Sequence, residues 1–378
     1  MSQQRVLAIL PSLGVGGAEH YALRLLQQGR SAAAEWHVTS GNFTPRTLES
    51  AFLDAGAFVH HASPGLGNPA RLLSFFLFLR RHRFDAVMSF NGVFAGVALS
   101  LARIAGVPIR IAWHRRSTPA YRPSLLRGLY AGTSLRLLDW ASTHILSNSR
   151  AALDRFHGSA WQTSPKFQVI PNGVDATRFK PRPELGSRIR TQLGLPADAF
   201  VLGHVGRVDP AKDHNTLFAA TRMLRNRFDN LRLVLVGPGT DQPDLLQRLA
   251  INGIEDVTRT TGARDDVHEL YSAFDVFVFP SVTEGQPNAL IEAMLSGIPI
   301  VATDIPGVRE AVPPSHRPRL VPPKNSIALA DEVQRVASSS RSTSDGLREW
   351  SVERFDMERN LDWALRPLGA DGKVSANA

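Results

Sequence analysis

The sequence predicts two tandem, doubly wound, Rossmann-like α/β domains, and three observations lead there. Short β-branched runs alternate with helix-patterned segments along the first half. The alternation then restarts, with strands that are apolar almost throughout. Between the two halves lies a stretch rich in proline and glycine. At 378 residues the chain is also longer than one hydrophobic core usually serves.

In the first half the strand-like runs are Val6–Leu10, Trp36–Thr39, Phe58–His61, Ala86–Phe90, Ile109–Trp113 and Ile145–Ser147. Glu19–Gln28 and Ala70–Arg80 carry helical spacing between them. Strand–helix alternation of this kind builds a parallel sheet covered on both faces. In the second half Phe200–His204, Leu231–Val236, Val276–Phe279 and Ile300–Ala302 read as fully buried parallel strands. Helices are expected at Thr216–Arg227, Pro243–Asn252, Val267–Ala273 and Asn288–Ser296. The stretch Pro171–Pro196 has linker composition, and the boundaries are set at 1–178 and 179–346. A Ser/Thr-rich segment, Ala337–Gly346, precedes one final helix, Leu347–Leu365, expected to return to the first domain within 347–368. The apolar-poor end, 369–378, is read as a disordered tail.

Composition narrows the function classes. The chain has no cysteine, which removes disulfides, thiolate catalysis and zinc–thiolate sites. The apolar run Val6–Leu10 meets Pro11 at once and is too short for a signal peptide. No stretch of membrane-spanning length and apolarity is seen, so a cytoplasmic protein is expected. Residues 1–180 hold 20 Lys and Arg against 8 Asp and Glu, a balance of +12. The remaining residues hold 23 against 26, a balance of −3, and the two sum to the net +9. A basic first half suits an anionic partner, such as phosphates or the inner face of a membrane, unless it only reflects an arginine-rich genome.

Three segments carry chemistry. The first strand runs into Pro11-Ser-Leu-Gly14-Val-Gly16-Gly17-Ala-Glu19, a glycine turn that lets backbone N–H groups approach an anion. A dinucleotide fingerprint needs a third glycine where Glu19 stands, which disfavours a dehydrogenase. In the second half Gly206-Arg207 ends a strand and Lys212 follows, so a guanidinium fork and an ammonium can reach one diphosphate. The third segment, Pro280-Ser-Val-Thr-Glu284-Gly-Gln-Pro-Asn288-Ala289-Leu290-Ile-Glu292, places Glu284 in a loop and Glu292 on the helix behind it. The N–H groups of Asn288, Ala289 and Leu290 are expected unpaired at that helix start, free to cap a phosphate. Glu292 lies in an apolar stretch, where a lone carboxylate is costly without partners.

Taken together these segments resemble glycosyltransferase family 4. The Gly-Gly-Ala-Glu loop, Asn172-Gly-Val-Asp175, Val205-Gly-Arg207 with Lys212, Gly262-Ala-Arg264-Asp-Asp-Val267 and Glu284-Gly…Glu292-Ala match that family in order and approximate spacing. The resemblance covers nearly the whole chain. It implies the GT-B fold, two Rossmann-like domains facing a central cleft, with acceptor groups on the first and the nucleotide sugar on the second. It also implies a retaining hexosyltransferase-type reaction from a UDP- or GDP-type sugar to a glycan or lipid-linked acceptor. Cell-surface polysaccharide or glycolipid assembly is the expected setting. By the same resemblance Arg207 and Lys212 neutralise the donor diphosphate, Glu292 holds the ribose, and Glu284 meets the donor sugar. Gly16 and Gly17 stand beside the phosphates and acceptor, Arg264 frames the base, and His114 is the active-site histidine. Where the family often has Asp or Gly after that histidine, this chain has Arg115-Arg116, which suits an anionic acceptor or lipid phosphate.

The mechanism the family favours is front-face substitution, in which the leaving phosphate oxygen takes the acceptor proton. Arg207 and Lys212 stand in for a cation, and no Asp-x-Asp motif occurs, so neither a metal nor another cofactor is expected. The helix ending in Arg80-Arg81-His82-Arg83 reads either as core-packed or as lying on a membrane interface. The arginine-rich segment Arg115–Arg136 is the stronger candidate for acceptor or membrane contact. Two other readings stay open: a GT-B enzyme that epimerises a nucleotide sugar, and a basic nucleic-acid-binding protein. The second lacks any recognised binding module, and no nucleic-acid partner is expected.

Overall fold

The computed structural model describes residues 4–14, 16–29, 34–41, 46–64, 68–115, 125–339 and 346–369. These form two compact units, Met1–Pro171 with Glu358–Ala378, and Asn172–Met357. The first holds strands β1 (Gln4–Leu10), β2 (Ala34–Ser40), β3 (Phe58–His60), β4 (Ala86–Ser89), β5 (Ile109–His114), β6 (His144–Ser147) and β7 (Phe167–Val169). They line up as β3-β2-β1-β4-β5-β6-β7, with every neighbouring pair parallel. The second unit holds β8 (Phe200–Val205), β9 (Leu231–Val236), β10 (Thr258–Thr260), β11 (Val276–Phe279) and β12 (Ile300–Ala302). Their order is β10-β9-β8-β11-β12, again all parallel. The two α/β units are those of the GT-B fold.

Each sheet changes its direction of growth once. β1 lies between β2 and β4, and β8 between β9 and β11. Open parallel sheets bind ligands outside the carboxyl ends of the strands at such a switch point. The glycine turn leaves β1, Gly206-Arg207 leaves β8, and the Glu284 loop leaves β11, so both switch points carry motifs.

The continuous apolar runs of the second unit follow from burial on two faces. Leu202, Leu233, Leu235, Val276, Val278 and Val301 pack on one side with Leu217, Phe218, Leu245 and Leu249. Val201, Val234, Val236, Phe277, Phe279 and Ile300 pack on the other with Leu290, Ile291 and Met294. Successive strand residues thus enter opposite cores, which leaves few polar positions, such as His204 and Arg232. The edge strands β7 and β10, which sequence reasoning omits, read Phe-Gln-Val and Thr-Arg-Thr. Three mixed residues at a sheet edge give no apolar run to detect.

Two boundaries differ from expectation. The chain joins the second unit at Asn172, seven residues before the anticipated 179. Here Val174 donates its N–H to the Phe355 carbonyl at 2.9 Å and bridges Asp356. A Cβ on Gly173 would lie 2.5 Å from Met357 Cα, so only glycine lets the two segments approach this closely. The final helix is two helices, Leu347–Arg354 and Met357–Leu365, broken at Phe355-Asp356. Leu347 and Phe355 bury in the second unit's core, so the first of the pair stays there. From Glu358 the chain groups with the first unit, where Gln28 Nε2 donates to Asp362 Oδ1 at 3.1 Å.

The helix Pro69–His82 is capped by Asn68, whose side chain accepts from the Ala70 and Arg71 N–H groups. It buries Phe75 and Leu79 but leaves Leu73 and Leu77 exposed. Among the described residues no helix is long and apolar enough to cross a membrane. Most of the Ser/Thr-rich segment (340–345), most of the tail (370–378) and the stretch 116–124, with Arg116, lie outside the described residues.

Candidate functional site

In the second unit the candidate groups gather at the carboxyl ends of β8 and β11. A short 3-10 turn, Pro210–Lys212, follows Arg207 and is capped by Asp209, whose Oδ1 accepts from Ala211 N–H at 2.9 Å. The turn aims Lys212 across the sheet, where its Nζ meets Glu284 Oε1 at 2.6 Å and stands 4.9 Å from the Phe279 ring centre. Both partners are largely buried, so the pair forms a charge-assisted contact with little water around it. Arg207 is mostly exposed and pairs with Asp209 at 3.2 Å. Both of its loops are held close. Gly237, at φ +136°, would place a Cβ 2.4 Å from the Gly206 carbonyl oxygen. Gly307 would place one 2.5 Å from the Glu284 carbonyl oxygen.

Glu292 sits on the helix Asn288–Leu295, one turn beyond its start. Its Oε2 accepts from the hydroxyl of Tyr271 at 3.0 Å, and the same hydroxyl lies 3.0 Å from the Ala289 carbonyl. Tyr271 is fully buried, and burial, reinforced by the Glu292 charge, pushes its hydroxyl well above the ordinary tyrosine range. The hydroxyl therefore stays a donor. It answers how a carboxylate is kept in an apolar stretch, a residue role that sequence reasoning did not supply.

The helix start departs from expectation at one point. Leu290 donates its N–H to the Pro287 carbonyl at 3.1 Å, so it is not a free donor. A 3-10-type contact has tightened the first turn. The Asn288 and Ala289 N–H groups donate to no backbone acceptor among the described residues. Asn288 is further held by Asn172, whose Nδ2 donates to Asn288 Oδ1 at 2.8 Å. The Asn172 N–H also bonds the Gln286 side-chain oxygen. Arg264, in the loop expected to frame the base, is held by its neighbour. Its guanidinium makes a two-pronged contact with Asp266, with Nε to Oδ1 at 2.7 Å.

In the first unit the glycine turn holds an internal anion. Ser12 donates to Glu19 Oε1 at 2.9 Å, and the Gly14 N–H donates to Ser12 Oγ at 3.2 Å. Glu19 is buried at the start of the helix Gly17–Gly29, where a carboxylate complements the helix dipole. A Cβ on Gly16 would stand 2.3 Å from Glu19 Oε2, so the smallness of Gly16 makes room for this carboxylate. The Cβ position of Gly17 meets nothing within 4 Å.

His114 ends β5 and is buried. Its Nε2 lies 3.0 Å from His157 Nε2, and His157 Nδ1 lies 3.2 Å from Asp139 Oδ1. The three groups form a relay. With both rings neutral, Asp139 accepts from His157 Nδ1–H, His157 Nε2 accepts from His114 Nε2–H, and His114 Nδ1 carries the lone pair. That Nδ1 has no hydrogen-bond partner among the described residues. Burial, with a smaller push from His157, pulls the His114 pKa down to about 3, so the ring stays neutral. Neither His157 nor Asp139 stands in a recognisable sequence pattern. Only the fold brings them to His114. Arg115 stacks 3.9 Å from the Tyr21 ring centre, and burial draws its pKa down to about 10, still a cation at neutral pH.

The helix start with its open Asn288 and Ala289 N–H groups, the Lys212–Glu284 pair and the tyrosine-held Glu292 all stand in the second unit, and the two parallel sheets have the GT-B architecture of glycosyltransferases. Residues 199–339 match the family described as Glycosyl transferases group 1, and residues 15–178 match Glycosyltransferase Family 4. The chain belongs to this family and is a glycosyltransferase. EpsF of Bacillus subtilis, assigned by name to the glycosyltransferases, is 27% identical over 95% of both chains. A D-inositol 3-phosphate glycosyltransferase of Saccharomonospora viridis is 37% identical over 52% of this chain and 48% of its own length. HepE of Anabaena, solved in complex with UDP, superposes with a TM-score of 0.80 at 22% identity, covering 97% of this chain and all of that one. WaaG, involved in lipopolysaccharide biosynthesis, gives 0.72 at 17% identity, covering 98% of this chain and all of its own.

Proposed function

We propose that this glycosyltransferase moves a sugar, with retention, from a nucleoside diphosphate sugar to a glycan or lipid-linked acceptor in cell-surface polysaccharide or glycolipid assembly. The observation that carries the donor half is the Tyr271–Glu292 contact one turn behind the open Asn288 and Ala289 N–H groups. A carboxylate held there can accept two ribose hydroxyls while the helix start caps a phosphate. Lys212 and Arg207 supply positive charge as the diphosphate leaves. Glu284, now on Lys212, is the oxygen donor for the sugar as it becomes oxocarbenium-like, and the leaving phosphate oxygen takes the acceptor proton. A uridine donor is favoured because the neighbour HepE was solved with UDP and with UDP-glucose.

His114 keeps a lone pair on Nδ1 and stays neutral, so its role is to accept a hydrogen bond from a sugar hydroxyl rather than to move a proton. Arg115 is the cation for an anionic acceptor. The lipid-linked alternative draws on relatives such as the Escherichia coli galactosyltransferase that acts on GlcNAc-diphosphoundecaprenol. No metal is required in this scheme. An initial rate unaffected by chelator agrees with it, and a loss restored by magnesium or manganese rejects it.

The deciding experiment is a thermal-shift series with UDP, GDP, ADP, dTDP and their sugar conjugates on wild type and Glu292→Ala. A ligand that binds only the native state raises its apparent stability by mass action. One nucleotide family should stabilise the wild type, and the variant should lose most of that shift. No shift with any nucleotide sugar, in a protein that melts cooperatively, overturns the donor reading.

A further inference from the structure

We propose that His37, His60 and His82 form a site for a divalent transition-metal cation of the zinc type, in the first unit and sharing no residue with the sugar-transfer groups. His37 comes from β2, His60 from the end of β3, and His82 from the last turn of the helix Pro69–His82. The register pairs His37 with Phe58 and Thr39 with His60, so His37 and His60 stand on one face of the sheet. The helix end brings His82 to the same place, with ring centres 5.7 Å from His37 and 5.1 Å from His60. One nitrogen from each of the three lies within 4.8 Å of the others.

The contacts also set which nitrogens are offered. His37 Nε2 lies 2.7 Å from Glu35 Oε1, which keeps the proton there and turns the Nδ1 lone pair inward. That Nδ1 faces His60 Nε2 at 2.8 Å, with a single proton shared between them. A bound cation takes the place of this proton, which moves to His60 Nδ1 as that ring changes tautomer, so both rings remain neutral ligands. A carboxylate behind a ligating histidine is the usual outer support of such an ion. Zinc–nitrogen bonds of about 2.0–2.1 Å put tetrahedral ligands about 3.3 Å apart. The close pair must therefore open by about half an ångström, and the widest spacing must close by more than one. Rotation of His82 at its helix end supplies most of that movement.

The surroundings weigh both ways. Phe58, Phe78 and Phe84 pack their rings around the histidines. Burial pulls His60 down to about 4, so the ring is neutral at neutral pH. Against this, Arg5, Arg81 and His61 bring positive charge near the cluster, and Arg5 also pairs with Glu35 at 3.3 Å. The expected affinity is therefore below that of a permanent structural zinc. The ion would tie the three-residue edge strand β3 to β2 and to the helix above them. Three phenylalanines would fill this space equally well without placing polar nitrogens together.

The test is a titration of the chelator-stripped, tag-free full chain with Co2+, read by the visible bands of nitrogen-bound tetrahedral cobalt. Zn2+ is then added, with a thermal melt at each step. One equivalent should saturate the bands, Zn2+ should displace them, and the melt should rise with Zn2+ but not with Mg2+. His82→Asn, at an exposed helix end, and His60→Gln should each abolish the bands, and Glu35→Gln should weaken binding roughly 10–100-fold. Absent bands and an unmoved melt in the wild type overturn the site. So do bands that survive unchanged in both histidine variants, because another histidine pair then holds the ion. Sugar transfer enters none of these readouts, so the site and the proposed reaction stand or fall separately.

Discussion

A single hydroxyl decides whether Glu292 can serve the donor. Tyr271 is locked in the core, and burial and the neighbouring charge keep its hydroxyl protonated, so it can donate to the carboxylate. Tyr271→Phe removes that donor while keeping the ring and its packing. A hydrogen bond to a charged group is worth about 1.5 kcal/mol or somewhat more, so the donor KM should rise roughly tenfold with kcat little changed. Steady-state kinetics check this, and an unaltered KM would detach Tyr271 from the donor site. His157 plays the corresponding part for His114, by fixing which ring nitrogen keeps its lone pair. Both residues lie far along the chain from the groups they orient, which is why spacing alone did not disclose them. Glu292, Glu284, Lys212 and Arg207 were legible because they fall in loops and helix starts whose local pattern is tied to the chemistry.

At the scale of elements, loop placement depends on backbones packed too closely for a side chain. Gly307 opens the helix Pro306–Ala311 against the carbonyl oxygens of Glu284 and Gly285. Gly307→Ala must move the loop or the helix, because the new Cβ would sit 2.5 Å from the Glu284 oxygen. Strain of this kind costs about 1–3 kcal/mol. The loop gives way more readily than the core helix behind it, so turnover should fall more steeply than stability. We expect kcat/KM at least tenfold down, with the urea midpoint only modestly lowered. A variant with wild-type turnover would show that Glu284 is not placed by this contact. The helix Asn288–Leu295 makes the complementary point. Its sequence identifies a helix start, but only the fold shows that Leu290 has already bonded to Pro287 while Asn288 and Ala289 remain open.

Across the molecule, acid should be the weak side of the stability curve. Burial is the leading cause that lowers His114 and His204 to about 3 and His60 and His214 to about 4. Each ring is neutral in the folded protein but takes a proton in the unfolded chain below its ordinary pKa of about 6.5. Their contribution is therefore full above about pH 6.5 and is lost as pH falls toward the folded values. Urea midpoints should drop between about pH 7.5 and about pH 5, in metal-free buffer. An equal or higher midpoint at the lower pH would mean that these rings are hydrated in the native state.

Sequence by itself determined the two parallel α/β units, the strands that carry the motifs, and the family. Those features rest on periodicity and on residues that must sit at strand ends and helix starts. It did not determine where the chain passes between units or that the last helix is broken, since both depend on Val174 pairing with Phe355 and Asp356 across most of the second unit. Tertiary structure alone decided the partners: Tyr271 for Glu292, His157 and Asp139 for His114, Glu19 for Gly16, and the meeting of His37, His60 and His82. The physical reason is common to all of them. A periodic pattern records which face of an element is buried, whereas a contact between two polar groups distant in sequence leaves no period behind. Only the packed sheets bring such groups within hydrogen-bonding distance.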